Sequence, residues 1–227
     1  SEMCIRDRLY IWQDRSTSSR VLPQAQSRVD PNFPSKEVVP LIERSAGILM
    51  PIFSLPSPHG IGTMGKAAYD FADFLAAAGQ KYWQLLPLGP TSYGDSPYQS
   101  FSSFAGNPYF IDLDLLIKDK LLTRAEVNSC DWGDDPRYVD YGKIYESRFA
   151  LLEKAKARGF ARDHEDIAAF EKKNERWLPD YALFMALKRH FGMKAWTEWD
   201  DEDIRCRKDS AVIERYRGML RDDVELF

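Results

Sequence analysis

Apolar and polar positions follow two different periods along this chain, and the place where one gives way to the other organises it. Ala46 to Phe53 is apolar and free of charge, a run of the length expected for a strand buried on both faces. Leu55 to Met64, punctuated by Pro and Gly, is expected to be a loop. From Gly65 to Ala78 the apolar residues Ala68, Phe71, Ala72, Leu75 and Ala78 recur at helical spacing, with Asp70 and Asp73 on the other side. Gly79 stands where a helix takes its left-handed C′ residue. A second apolar run, Tyr82 to Leu88, completes a strand–helix–strand unit whose helix can return the chain parallel to the first strand.

After Phe110 the period becomes helical. Ile111 to Val127 predicts short helices, with Thr123 capping the second. Asp140 to Arg158 is amphipathic, its apolar side formed by Ile144, Phe149, Leu151 and Leu152. His164 to Trp177 and Asp180 to Phe191 predict two more helices, separated by Pro179. The stripe Tyr181, Phe184, Met185, Leu187 and Phe191 reads as core packing. Asp200 to Asp209 is expected to be a charged linker, and Ser210 to Phe227 begins as a capped helix. No third strand of comparable strength and no repeat is visible, so the fold class is α/β: one βαβ unit and a long helical stretch.

Composition narrows the function classes. With 227 residues, 44% of them hydrophobic, the chain can bury the core of one or two ordinary domains. No apolar run approaches the roughly 18 to 20 residues that cross a bilayer. The net charge of −4, from 31 basic and 35 acidic residues, gives no electrostatic reason to expect nucleic acid or an anionic membrane as partner. Cys4, Cys130 and Cys206 are too few and too scattered for a disulfide framework, which suggests a reducing cytoplasm. His59, His164 and His190 are equally scattered, so no zinc site is expected. Residues 1–43 differ from the rest: Ser16 to Ser35 has no apolar period and reads as disordered, and Ser1 to Leu9 resembles the translation of a sequencing adapter.

Two segments carry candidate chemistry. Gly60 to Lys66 (GIGTMGK) matches the dinucleotide pattern and most of a phosphate loop. Against that reading, Ser54 to His59 intervenes after the strand, Ala67 offers no oxygen for magnesium, and Leu85 to Leu88 supplies no acidic residue for a ribose. Glycines that permit a tight loop and close helix packing are the preferred explanation. The second segment is the loop from Pro87 to Phe110. Four prolines and three glycines keep it out of regular structure, and six aromatics (Tyr93, Tyr98, Phe101, Phe104, Tyr109, Phe110) alternate with hydroxyls and amides. Flat rings beside polar groups suit a sugar, while rings that plug a core are the plainer alternative. Asp95 before Pro97 and Asn107 before Pro108 read as turn formers. His59, on the first strand-to-helix loop, could contact a hydroxyl, but a surface histidine without a role is the preferred reading.

The run from Gly94 to Pro108, GDSPYQSFSSFAGNP, resembles the signature of the 4-α-glucanotransferases, the amylomaltase or disproportionating-enzyme family. Ala46 to Ser57 (AGILMPIFSLPS), Ala76 to Thr91 (AAAGQKYWQLLPLGPT) and Trp177 to Trp199 (WLPDYALFMALKRHFGMKAWTEW) are similar to the same family, in the same order. The resemblance covers roughly residues 44 to 227 and implies the start of a TIM-type (β/α)8 barrel. Residues 44–110 would be its first βαβ unit and 111–227 a helical insertion. A whole barrel takes about 250 residues and eight such units, so the chain is expected to be a fragment. The resemblance further implies an α-1,4-glucan as donor and acceptor, a retaining transfer without cofactor or metal, and catalytic carboxylates on strands beyond Phe227. It assigns no catalytic residue to this chain. It implies that Tyr98 stacks on the sugar beside the cleaved bond, that Ser96 lies close to it, and that Tyr93 is an accessory glucan contact. A phosphate-loop or dinucleotide protein and a non-catalytic glucan-binding module are the alternatives.

Overall fold

β1 (Gly47–Leu49) and β2 (Tyr82–Gln84) pair in parallel, with Gly47 opposite Tyr82, Ile48 opposite Trp83 and Leu49 opposite Gln84, in a computed structural model that describes residues 44–227. The expectations for residues 1–43 lie outside the described residues. The connection is α1 (Lys66–Ala77), whose Ala68 and Leu75 face the core. Phe71 meets the Trp83 ring edge-on at 5.0 Å, which seats the helix on β2. Gly79 ends α1 at φ +73°: its N–H donates to Ala76 O and that of Gln80 to Leu75 O, the two bonds of a Schellman cap.

The strands are shorter and barer than the apolar runs predict. Pro51 has no N–H for a ladder, so the chain leaves β1 there and Ile52–Ser54 forms a 3₁₀ turn. Ile52, Leu55 and Ile61 then enter the core. A strand buried on both faces needs neighbours on both edges. Among the described residues β1 and β2 have only each other, so Ile48, Leu49 and Tyr82 are exposed.

The remainder is helical: α2 (Leu113–Lys118), α3 (Arg124–Asn128), α4 (Tyr141–Gly159), α5 (His164–Lys173), α6 (Leu178–His190), α7 (Glu202–Arg205), α8 (Ser210–Met219) and α9 (Arg221–Val224). Thr123 makes the expected cap, a full capping box with Glu126. Two boundaries differ from expectation. Pro179 does not separate α6 from what precedes it but sits in its first turn, where a missing N–H costs nothing. The charged linker contains α7, because the Asp201 carboxylate accepts the N–H groups of Asp203 and Ile204 and the Tyr216 hydroxyl.

Three apolar clusters hold these elements. One joins the β1 exit, α1, Tyr109, Phe110 and Ile144 of α4. A second joins Leu113 and Leu116 of α2, Val127 of α3, and Leu151 and Ala155 of α4. The third lies within α6 to α9, around Leu183, Ala186, Leu187, Trp199, Ile204, Tyr216 and Leu220. Among the described residues no helix is long and apolar enough to cross a membrane.

The bare face of the βαβ unit leads to a first prediction. Leu49 is 52% exposed, Tyr82 55% and Phe74 63%, an unpaired strand edge beside apolar side chains. Expressed alone, the 227-residue chain should bind a hydrophobic dye strongly and elute from a sizing column as aggregate. The double variant Leu49→Thr/Phe74→Lys should recover more monomer; a monodisperse, dye-silent parent chain would refute the argument.

Candidate functional site

The loop that follows β2 begins at Leu85 and ends in the core at Phe110. Its two limbs are tied together near their base: Asn107 N–H donates to Leu88 O at 2.8 Å, and Thr91 and Ser100 form an antiparallel bridge. Gly89 is required there, since a Cβ would sit 2.5 Å from the Ser100 hydroxyl oxygen. At the far end the Asn107 carboxamide oxygen accepts the Tyr109 N–H at 2.9 Å, which makes Asn107 the turn former expected of it. Met64 N–H, at the entrance to α1, donates to Phe110 O at 2.9 Å. The loop is thereby attached to the unit it follows.

The hydroxyls of the loop serve its own backbone. Ser102 Oγ accepts the N–H groups of Phe104 and Ala105, each at 3.1 Å, and Ser100 Oγ–H donates to Ser102 O at 2.8 Å. Ser96 Oγ accepts the Tyr98 N–H at 3.3 Å, leaving its own O–H to donate. Ser96, rather than Asp95, makes the local side-chain turn. Asp95 instead adopts φ +54° directly after Gly94 at φ +76°, and partial burial pushes its carboxyl above the usual range.

The rings divide by destination. Tyr109 and Phe110 are core residues, 8% and 4% exposed. The Tyr109 ring lies 6.1 Å from Tyr141 and 6.4 Å from Phe149, and burial raises its hydroxyl pKa. Phe101 packs on Phe184 of α6 at 5.9 Å, beneath the Lys188 ammonium at 4.9 Å. Phe104 stacks on Trp177 at 5.8 Å with 21° between planes. Tyr98 is the more exposed of the outer residues, at 72% against 62% for Phe104. Tyr93 lies in the 3₁₀ turn Tyr93–Asp95, and its side chain falls outside the described part of the structure. The plainer explanation therefore accounts for Tyr109 and Phe110; Phe101 and Phe104 lie on α6 instead, Phe104 staying exposed, and Tyr98 is turned outward.

Gly60 to Lys66 wraps tightly against its own unit. A Cβ on Gly62 would lie 2.0 Å from Ile52 O, and one on Gly65 would lie 1.8 Å from the Asp112 carboxylate. That carboxylate accepts the Thr63 hydroxyl at 2.6 Å, so an acidic side chain of the protein lies against the start of α1. A phosphate there would meet like charge, and Lys66 pairs with Asp70 one turn on. The nucleotide alternative is not favoured. His59 is not the surface residue the sequence suggested: it is 5% exposed and meets Trp132 edge-on at 5.6 Å. Burial lowers its pKa below 6.5. Arg148 of α4 is fully buried, donates to Ile111 O at 2.7 Å and lies over the Trp132 ring at 5.7 Å. Its Nε and Nη2 have no hydrogen-bond partner among the described residues, and burial draws its pKa down to about 10.

Sequence reasoning missed Arg148, Asp112 and the contact of α6 with the loop. The available signal was a cation set in an apolar helix face: Arg148 between Ile144 and Leu151, and Lys188 four residues after Phe184. Among the described residues no group of His, Cys, Asp and Glu is arranged to hold a metal ion.

The whole arrangement is similar to a solved carbohydrate enzyme. It matches the amylomaltase from Streptococcus agalactiae in complex with acarbose with a TM-score of 0.77 and 44% identity, covering 81% of this chain and 37% of that one. The family model for 4-alpha-glucanotransferase matches residues 50–227, and the chain belongs to that family. The 4-alpha-glucanotransferase of Streptococcus pneumoniae is 53% identical over 181 residues, which are 79% of this chain and 36% of the relative. That of Thermus thermophilus is 45% identical over 80% of this chain and 36% of its own length. The chloroplastic/amyloplastic enzyme of Arabidopsis thaliana is 33% identical over 83% of this chain and 33% of its own. The chain thus spans about a third of the length of these relatives.

These coverages make a chimera practicable, with residues 44–227 replacing the matching third of the Streptococcus pneumoniae enzyme. It supplies the test of His59. A histidine whose folded pKa lies below its unfolded value binds its proton more readily when unfolded. The stability it contributes is full above pH 6.5 and lost as the pH falls from there toward the lowered value. In urea titrations the difference in stability between the chimera and its His59→Gln variant should shrink over that interval. A pH-independent difference would mean that the imidazole is not held neutral.

Proposed function

We propose that this chain is the first part of a 4-α-glucanotransferase, a retaining enzyme that cleaves an α-1,4-glucan and passes the released segment to the 4-hydroxyl of another glucan or of glucose. Residues 44–110 would open its (β/α)8 barrel and residues 111–227 form a helical insertion. The reading is supported by family membership together with one observation: in a loop that satisfies its own backbone, the Tyr98 ring is 72% exposed. The loop leaves from the C-terminal end of β2, the side on which barrel enzymes build their active sites.

In this reading Tyr98 offers a flat apolar face to the donor sugar, and Ser96 offers its O–H to a sugar hydroxyl nearby. Tyr93 is a contact for longer glucans. The reaction needs a carboxylate nucleophile and a second carboxyl about 5 to 5.5 Å away that gives and then takes a proton. Both are assigned to later strands of the longer protein, so this chain supplies binding and orientation. Neither nucleotide nor metal enters the scheme. Free Cys130 and Cys206 accord with a cytoplasmic setting.

The chimera should disproportionate maltotriose and release glucose, whereas the chain of 227 residues alone should release none. Tyr98→Ala should lower its transfer efficiency by one to three orders of magnitude, since a lost contact beside a reacting centre costs about 1 to 4 kcal/mol. Tyr98→Phe should keep most of the activity if the ring face is what matters. A folded Tyr98→Ala chimera with undiminished transfer would remove Tyr98 from the site.

A further inference from the structure

The Tyr98 loop touches a part of the molecule with its own core. α6 belongs to the apolar cluster of α6 to α9, and four of its residues face that cluster or its edge: Leu183, Phe184, Ala186 and Leu187. On the adjoining side, three groups meet the loop. Trp177, at the N-cap of α6, stacks on Phe104, while Phe184 and Lys188 enclose Phe101.

Lys188 is the unusual member. It is 8% exposed, and its ammonium donates to the carbonyls of Met193 at 2.9 Å and Lys194 at 3.1 Å. These carbonyls belong to the turn that ends α6, where Gly192 and Met193 take φ of +64° and +61° and Met193 N–H donates to Lys188 O at 2.7 Å. The cation is thus fixed by backbone groups of its own element, at the end of the helix whose dipole favours positive charge. Its remaining face lies against Phe101. The holder is pre-formed, and the loop ring is the guest.

Spacing gives the two contacts a consequence for the loop. Trp177 and Phe184 are seven residues apart on α6, a rise of about 10 Å; Phe101 and Phe104 are three residues apart, a reach of at most about 10 Å. With Phe101 at Phe184 and Phe104 at Trp177, the loop is laid antiparallel along the helix and held at both ends of that segment. Phe101 is three residues from Tyr98, and the Thr91–Ser100 bridge lies between them.

We propose that Phe184 and Lys188 are positioning residues that act through Phe101 to hold the exposed Tyr98 ring in one orientation, so that the helical insertion sets the geometry of the glucan site. This rests on the glucan reading of the loop. It differs from a general packing role because it predicts coupling to Tyr98 and a local change in the loop.

Two readouts on the chimera separate the cases. In hydrogen exchange, Phe101→Ala and Lys188→Met should speed the amides of residues 98–104 while those of α8 keep their protection; Lys188→Arg, which can cover the ring and reach both carbonyls, should restore the slow exchange. In maltotriose transfer, each of Phe101→Ala and Lys188→Met should lower kcat/KM about tenfold, but add almost nothing in a Tyr98→Ala background. Losses that multiply with that of Tyr98→Ala, or loop exchange that stays at the parental rate, would overturn the proposal. Should the unmutated chimera be inert toward maltotriose, the glucan reading fails, and the exchange measurement still decides whether Lys188 and Phe101 hold the loop.

Discussion

The described fold depends on the placement of one carboxylate, that of Asp112. Its Oδ2 accepts the Thr63 hydroxyl at 2.6 Å and its Oδ1 accepts the Leu115 N–H at 2.9 Å. It thereby fastens the entrance of α1 to the entrance of α2, two elements separated by the whole second strand and its loop. Gly65 is the necessary counterpart, because any side chain there would collide with the carboxylate. At α2 the carboxylate is the N-cap and satisfies the free Leu115 N–H; at α1 it is held through the Thr63 hydroxyl. The fully buried Arg148 adds positive charge nearby, and Asp112 in turn favours the charged guanidinium against the cost of burial. Removing the Asp112 carboxylate would leave the buried Arg148 charge less compensated.

That joint explains why the loop after β2 is ordered at all. Its last residues, Tyr109 and Phe110, are carried into the core directly before Asp112, and Met64 next to Thr63 donates to Phe110 O. The stretch between Leu88 and Asn107 is consequently closed at its base, so the entropy of closing it is met by core burial rather than by a ligand. A second attachment, to α6, reaches it from a separate apolar cluster. The loop is therefore clamped between two bodies with different cores, and any shift of α6 against α4 is felt at Tyr98. Arg189 on α6 spans the same gap with pairs to Glu153 of α4 and Asp223 of α9.

Period and punctuation carried most of the fold. The βαβ unit, the Gly79 cap, the Thr123 capping box and the long amphipathic α4 are local features, each written within a few adjacent residues. The misreadings have a common cause in long-range context. His59 looked like a surface residue because its partner, Trp132, is remote in sequence. The strand runs looked buried because apolar composition records what a complete sheet would cover, whereas β1 and β2 have only each other here. The loop residues were read as ligand groups because hydroxyls that bind backbone and hydroxyls that bind sugar have the same composition. Ser100 and Ser102 proved to be of the first kind. Arg148 and Lys188 were overlooked because a charged residue in an apolar stripe defies the pattern being counted, although such violations are where function and specificity concentrate.

The chemistry of the loop now follows from what is left over. A flexible loop that orders around a sugar loses conformational entropy at binding, and that loss weakens affinity and blurs the orientation of the bond to be broken. Here the ordering is done at folding. Prolines limit the backbone, serines occupy its N–H groups, two rings enter the core, and two lie on α6. Tyr98 is an exposed ring carried by a loop held in this way. In the proposed reading, such a face orients the donor sugar and so acts on the attack geometry, where an error of about 1 Å costs roughly a hundredfold in rate. The helical part is thus more than a decoration of an α/β unit: through Phe101 and Phe104, α6 is proposed to bear on the direction in which the exposed Tyr98 ring points.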